Sequence, residues 1–264
     1  MLASCFFTYL NPQSNVKLYP NGGVISPGSN ITSYFWGQSK VLPYGSQITR
    51  NGYTFGGWYK NSGFWGERQY FINTTDRGDL TFYAKWDPNP YNVRLHTNGG
   101  TIAAGHNVTQ YTYGTGATLP SASYITKHGH TFRGWYNNSA LTGNVYTKIG
   151  SSEKGDKEFY AKWTPTVYTI TYLPEGVETD NPPTYTIETE TFELKAPTKA
   201  PDETKQKFVA WHVDSEEGAV VTEIAKGSTE NKTFYAEFSA EVPCVVKFMS
   251  GTTEVKSIKV KKDT

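Results

Sequence analysis

The sequence predicts a mainly β protein, a string of small repeated domains with little helix, on three observations. Aromatics make up 15% of the 264 residues, Gly counts 25 and Pro 14, and there are only 2 Met; such a composition suits pleated, half-buried surfaces broken by turns. One motif returns three times along the chain, so periodicity is tested before any site is proposed. Between the turn residues, apolar positions alternate with a period of two, and no long window holds a 3.6-residue period.

The repeat is explicit. Gly56-Gly57-Trp58-Tyr59 returns as Arg133-Gly134-Trp135-Tyr136 and, more loosely, as Val209-Ala210-Trp211-His212, so the Trp spacing is 77 and then 76. Thr81-Phe82-Tyr83-Ala84-Lys85-Trp86 returns as Glu158-Phe159-Tyr160-Ala161-Lys162-Trp163 and as Thr233-Phe234-Tyr235-Ala236-Glu237-Phe238. Asn21-Gly22-Gly23 returns as Asn98-Gly99-Gly100.

Each unit opens with an alternating run, at Val16-Lys17-Leu18, Val93-Arg94-Leu95 and Ile170-Thr171-Tyr172, which sends apolar side chains to one face of a first strand. Asn-Gly-Gly then supplies residues that tolerate positive φ, the chemistry of a tight turn between strands. A second strand is expected over Ile31 to Trp36 and Val108 to Tyr113, closed by Leu-Pro at 42-43 and 119-120, because Pro cannot continue a central strand. The third strand carries Phe55 and Trp58, or Phe132 and Trp135; the fourth is Phe82 to Trp86, or Phe159 to Trp163. Helix is expected at most as a short turn in the loop after Trp-Tyr.

Short Pro-containing joints at Asp87-Pro88-Asn89-Pro90, Thr164-Pro165-Thr166 and Ser239 to Pro243 divide the chain into repeats at 13-88, 89-165 and 166-240. Phe6-Phe7-Thr8-Tyr9-Leu10-Asn11-Pro12 resembles Phe82 to Pro88, so residues 1-12 read as the leftover terminal strand of a preceding unit. Cys244-Val245-Val246-Lys247-Phe248 aligns with a first strand, so residues 241-264 read as a partial fourth repeat. The expected arrangement is extended, each unit holding its own Trp, Tyr and Phe core.

Asn-Gly-Gly, then Gly-Tyr-Thr-Phe-x-Gly-Trp-Tyr at 52-59, then Phe-Tyr-Ala-Lys-Trp at 82-86 closely resembles the internalin-type B-repeat, or Listeria-Bacteroides repeat, over almost the whole chain. The third unit departs, with Glu175-Gly176 for Asn-Gly-Gly and Ala210 for the Gly before Trp. The resemblance implies a compact β-grasp-like (ubiquitin-like) repeat domain, used in tandem in secreted and surface-anchored proteins of bacteria and some archaea. It implies no catalytic residues, and no motif in the sequence calls for a metal or a cofactor.

The formal net charge is +1, with 25 Lys and Arg against 24 Asp and Glu, which removes the general argument for a nucleic-acid partner. It is distributed unevenly: residues 13-88 carry 7 basic against 4 acidic, residues 89-165 carry 7 against 3, and residues 166-240 carry 6 against 14. Cys5 and Cys244 are the only cysteines, too few for a disulfide scaffold. Leu2-Ala3-Ser4-Cys5 has the form of a lipobox without the signal that would precede it. No apolar run reaches the roughly 18 residues of a membrane span. His96, His106, His128, His130 and His212 form no metal signature, Asp76 and Asp79 read as a solvated loop with a weak Ca²⁺ site as the alternative, and no G-x-S-x-G supports a nucleophile.

Most periodic aromatics read as core. Trp36, Phe64 and Trp65 occur only in the first unit and are the candidate contact patch. Asn30, Asn73, Asn107, Asn137 and Asn231 begin N-x-Ser/Thr sequons and are candidate glycosylation sites. Phe6, Phe7, Tyr9, Val246 and Phe248 are candidate strand-complementation residues. The first expectation for function is an extracellular, cell-surface stalk or adhesin segment, not an enzyme, meeting a protein or glycan on another cell or in the matrix. The alternatives are a filament subunit joined head-to-tail to copies of itself through its incomplete ends, and a carbohydrate-binding accessory module.

Overall fold

The computed structural model describes residues 12–200, 205–240, 244–250 and 253–260; Phe6, Phe7, Tyr9 and Cys5 lie outside them. The chain is mainly β, in several small sheets in tandem. The one helical element among the described residues is a 3-10 turn at Gly45–Gln47. It follows Leu42-Pro43, not Trp-Tyr as expected, because Pro43 ends the strand there and Gly45 takes a positive φ of 55°.

In the first repeat a four-stranded sheet runs Ser33–Phe35, Gln13–Tyr19, Leu80–Pro88, Tyr53–Tyr59. Gln13–Tyr19 and Leu80–Pro88 pair in parallel, Val16 opposite Leu80 and Tyr19 opposite Tyr83, and the outer pairs are antiparallel. A parallel pair demands a crossover, and this one is built on two short ladders, Val24–Ile25 on Ile48–Thr49 and Lys40–Val41 on Phe71–Ile72, with no helix beyond the 3-10 turn at Gly45–Gln47. Ile48 and Ile72 of these ladders, with Leu42 just after Lys40–Val41, close the core: Ile48 and Leu42 are 1% exposed and Ile72 is 0% exposed. At the centre Trp58 packs with Val16, Ile31, Tyr34, Phe82 and Ala84, and its indole Nε1 donates to the Pro43 carbonyl at 2.8 Å.

The same strand order recurs in the second repeat, Gln110–Thr112, Pro90–His96, Lys157–Pro165, His130–Tyr136, and in the third, where Val220–Val221 adds a fifth strand beyond Lys205–Val213. Trp135 and Trp211 repeat the burial of Trp58, and their indoles donate to the carbonyls of Pro120 (2.8 Å) and Lys195 (2.9 Å). Leaving that N–H unpaired in the core would be costly, so the loop carbonyl fixes the ring's orientation. A hydroxyl does the same at the sheet edge: Tyr34, Tyr111 and Tyr185 donate to the carbonyls of Gly78, Gly155 and Thr229.

Asn-Gly-Gly forms the expected turn, with Asn21 and Gly22 at φ 47° and 83° and Gly23 N–H donating to the Pro20 carbonyl at 2.9 Å. It does not join two strands of one sheet. Gln13–Tyr19 enters it from the main sheet, and Val24–Ile25 leaves to pair with Ile48–Thr49.

The described residues divide into two compact units. One holds the chain up to Asn98 with Ile102–Tyr124 and Gly134–Ala161; the other holds Gly99–Thr101, Ile125–Arg133 and the described chain from Lys162 onward. Beyond the third repeat, Cys244–Ser250 pairs antiparallel with Thr253–Val260, Val246 opposite Ile258 and Phe248 opposite Lys256.

Candidate functional site

A groove on the first repeat gathers side chains that the fold does not require. Lys40–Val41 pairs with Phe71–Ile72, and strand alternation that buries Leu42 and Ile72 turns Val41 (60% exposed) and Phe71 (44%) outward. After Pro43 the 3-10 turn is clasped by Gln47, whose Oε1 accepts from Tyr44 N–H at 3.2 Å, and the Tyr44 ring stands 63% exposed. Tyr70, just before the facing strand Phe71–Ile72, is 60% exposed. Between them the Arg68 guanidinium lies 5.0 Å from the Tyr70 ring and 5.9 Å from the Phe55 ring. Its stem passes so close to Gly57 that a β-carbon there would meet Arg68, and Gly57 sits at φ 114° on a bulge.

The groove has two lobes that share Tyr44, Phe55, Arg68 and Tyr70. The deeper, of about 250 Å³, reaches Leu42 and Trp58; the wider, of about 660 Å³, extends to Arg50, Tyr53 and Trp86. Together they have the size of a small-ligand site. Arg50 lies over the Tyr53 ring at 4.0 Å.

Repeat alignment separates this lining from the scaffold. Leu42, Leu119 and Leu194 N–H groups donate alike to the carbonyls of Tyr70, Thr147 and Thr222. Where the first repeat has Tyr44, Arg68, Tyr70 and Phe71, the second has Ser121, Val145, Thr147 and Lys148, and the third Ala196, Val220, Thr222 and Glu223. The backbone forms without the aromatic lining.

The expected patch residues are placed differently. Trp65 is 74% exposed, on a loop organised by Asn61, which exchanges hydrogen bonds with Trp65 N–H (3.2 Å) and the Trp65 carbonyl (2.7 Å). Phe64 packs edge-on against Tyr59 at 5.9 Å. The second repeat builds the same loop around Asn138 with Leu141 and Thr142 in their places. Trp36 is half-buried on the core, its Nε1 donating to Ser14 Oγ at 2.7 Å with Arg77 over its ring at 5.6 Å. Its repeat position is that of Tyr113 and Ile187, which pack at joints between repeats.

Among the sequons, Asn30, Asn107, Asn137 and Asn231 are exposed and Asn73 is half-buried. The Asn231 Oδ1 accepts from Thr169 N–H at 3.0 Å, as Asp79 and Asp156 accept from Asn15 and Asn92 at 2.8 Å, so all three brace the sheet edge. Asp76 accepts from Asn73 N–H and pairs with Lys60 at 3.0 Å. His96 stacks on Tyr160 and bonds Glu158, whose carboxyl is held below its ordinary range by hydrogen bonds from His96 and Tyr160. His130 faces the His128 carbonyl and Glu188, and His212 the Gly218 carbonyl and Glu237. No group of three metal-ligating side chains occurs among the described residues, and no helix among them is long and apolar enough to cross a membrane.

Tyr44, Arg68 and Tyr70 were not singled out by the sequence. The test that found Trp36 and Trp65, an aromatic present in one repeat and missing from the next, finds Tyr44 and Tyr70 when applied across 40–71. What it lacks is the pairing of Lys40–Val41 with Phe71–Ile72 that brings them together.

The family model described as the Listeria-Bacteroides repeat domain matches residues 15–85, 91–162 and 168–237. A protein of Evansella cellulosilytica named as a Gly-rich membrane protein is 30% identical over 177 residues, 65% of this chain and 19% of its own length. A second protein of that organism, named as a membrane protein, is 28% identical over 85% of this chain and 31% of its own length. Internalin H of Listeria monocytogenes is 28% identical over 50% of this chain and 23% of its own length. The chain thus spans less than a third of each of these relatives.

Proposed function

The chain belongs to the Listeria-Bacteroides repeat family, and from that premise we propose that it is a non-catalytic, extracellular segment that holds a binding surface away from a cell, as a stalk or adhesin does. The repeats 13-88, 89-165 and 166-240 are its building units, and its partner is a protein or glycan on another cell or in the matrix. The similarity to proteins named as membrane proteins and as an internalin supports a surface setting.

The observation that carries this reading is a joint that recurs. The Gly52 turn of the first repeat lies against the Tyr113 ring of the second, so closely that a β-carbon on Gly52 would fall 2.5 Å from it. Asn89 N–H donates to the Gly52 carbonyl at 3.0 Å, and Lys154 Nζ to Asn51 Oδ1 at 2.6 Å. One repeat on, Gly129 meets Ile187 at the same 2.5 Å and Thr166 N–H donates to the Gly129 carbonyl at 2.9 Å. Such joints restrict bending between neighbours, which a spacer needs and an isolated module does not.

Two measurements test this. Residual dipolar couplings should report neighbouring repeats aligned together in the wild type and independently once Gly52→Val and Gly129→Val are introduced. Antibody to the chain should label intact producing cells. Independent alignment in the wild type, or labelling only after permeabilisation, defeats the reading.

A further inference from the structure

We infer that the first-repeat groove binds a carboxylate-bearing oligosaccharide, which deepens the surface role above by naming what the segment presents itself to. Arg50 and Arg68 both line it, and neither guanidinium has a hydrogen bond or ion pair among the described residues. Four other cations of that repeat are engaged by oxygen, Lys40 with the Ser33 carbonyl, Lys60 with Asp76, Lys85 with Asp87, and Arg77 with the carbonyls of Thr74 and Asp76, while Lys17 lies over the Tyr19 ring away from the groove. No carboxylate lines either lobe. Ring faces hold the two guanidinium groups instead, Tyr53 under Arg50 and the Tyr70 and Phe55 rings beside Arg68. A planar fork pre-placed this way is suited to bidentate carboxylate recognition.

The rest of the lining selects the body of the ligand. Tyr44 and Tyr70 expose flat faces with hydroxyls at their rims, which match the C–H faces and hydroxyls of a sugar ring. Arginine clusters also recognise acidic peptides, but the exposed Tyr44 and Tyr70 rings add flat surfaces that a sugar ring fills and a carboxylate-bearing chain does not need. The third repeat also bears 14 acidic residues against 6 basic, so a groove selective for acidic polypeptide would capture the chain's own copies.

Calorimetric titration of the intact chain tests this with two sources of the same chemistry, tetragalacturonate and sialyllactose, each against its methyl ester, and with a Glu-rich peptide. At least one acid should bind, more weakly as salt rises, and its ester at least tenfold more weakly. Arg68→Gln or Arg50→Gln should lose at least tenfold and Tyr70→Ala at least fivefold, with thermal unfolding unchanged, while Ser121→Ala in the second repeat should change nothing. The proposal is overturned if neither acid titrates, if the esters bind equally, if the Arg68 and Tyr70 variants bind as wild type, or if only the peptide binds. Because the purified chain is used, sugar binding can succeed while cell labelling fails, and the reverse.

Discussion

The turn after the opening strand is built one way in the first two repeats and another in the third. In the first, Gly23 lies against the Trp86 indole so closely that any β-carbon would collide with it, and Trp86 Nε1 donates to the Pro20 carbonyl at 2.8 Å. Gly100 and Trp163 repeat that close approach. The third repeat carries Val177 where the glycine stood and Phe238 where the tryptophan stood, both packed on its core. Asn21 and Asn98, at φ 47° and 50°, each donate through Nδ2 to the carbonyl of the closing strand's alanine at 2.8 Å. Glu175 occupies that position without a positive φ, and Gly176 alone takes one, 91°. A tryptophan over a glycine in two repeats and a phenylalanine with a valine on the core in the third occupy the same repeat positions, so the residues at these two positions change together.

The largest test of that coupling is Gly23→Val. Alone it should cost the first repeat about 3 kcal/mol, because overpacking forces the indole aside; combined with Trp86→Phe it should recover most of the loss. The mirror change, Val177→Gly, should cost the third repeat about 1 to 2 kcal/mol through lost packing and added backbone freedom. Denaturant unfolding followed by indole NMR signals assigned to Trp58 and Trp211 reads each repeat separately. Additive costs in the Gly23/Trp86 pair would break the comparison.

A smaller effect is expected at the preceding residue. Asn21→Ala removes a hydrogen bond and puts alanine, which tolerates left-handed backbone less well than asparagine, at φ 47°, together worth about 2 kcal/mol. Glu175→Asn should change the third repeat by no more than about 0.5 kcal/mol, since that site is exposed and its φ is ordinary. Equal losses in the two repeats would show that the turns are the same after all.

The repeats, the strand sequence and the buried tryptophans were legible because each rests on local chemistry that recurs at 77 and 76 residues. Glu175 and Ala210 marked the third repeat as the departure, and at the Glu175 turn the structure does change. The crossover ladders were not legible: Val24–Ile25 and Lys40–Val41 are two residues each, too short for any alternation to register. For the same reason the groove was hidden, since Tyr44 and Tyr70 meet only through one of those ladders. Trp36 shows a different limit of the sequence. It is peculiar to the first repeat, as read, yet it packs on the core beside Ser14, because uniqueness in sequence does not report burial.

The smallest predicted difference between repeats is one of pH. His212 stands where the first two repeats have Tyr59 and Tyr136. Its ring nitrogens lie 2.7 Å from the Gly218 carbonyl and 2.9 Å from the Glu237 carboxylate. Both partners are acceptors, so both contacts are satisfied only when the imidazole carries two protons. The carbonyl first, and then the carboxylate, raises the His212 pKa above its ordinary value. A group whose pKa is raised by folding contributes stability that is complete below its unfolded value, about 6.5, and that fades as pH climbs through the folded value. The midpoint of the third repeat, read at Trp211, should therefore fall as pH rises from about 6 to about 8, while that of the first, read at Trp58, stays level. His212→Tyr should flatten the third profile. His130, which faces Glu188 at 3.5 Å, is replaced by Tyr in both backgrounds so that any slope belongs to His212. A level profile for the third repeat with His212 intact would mean that the second proton is not retained at neutral pH.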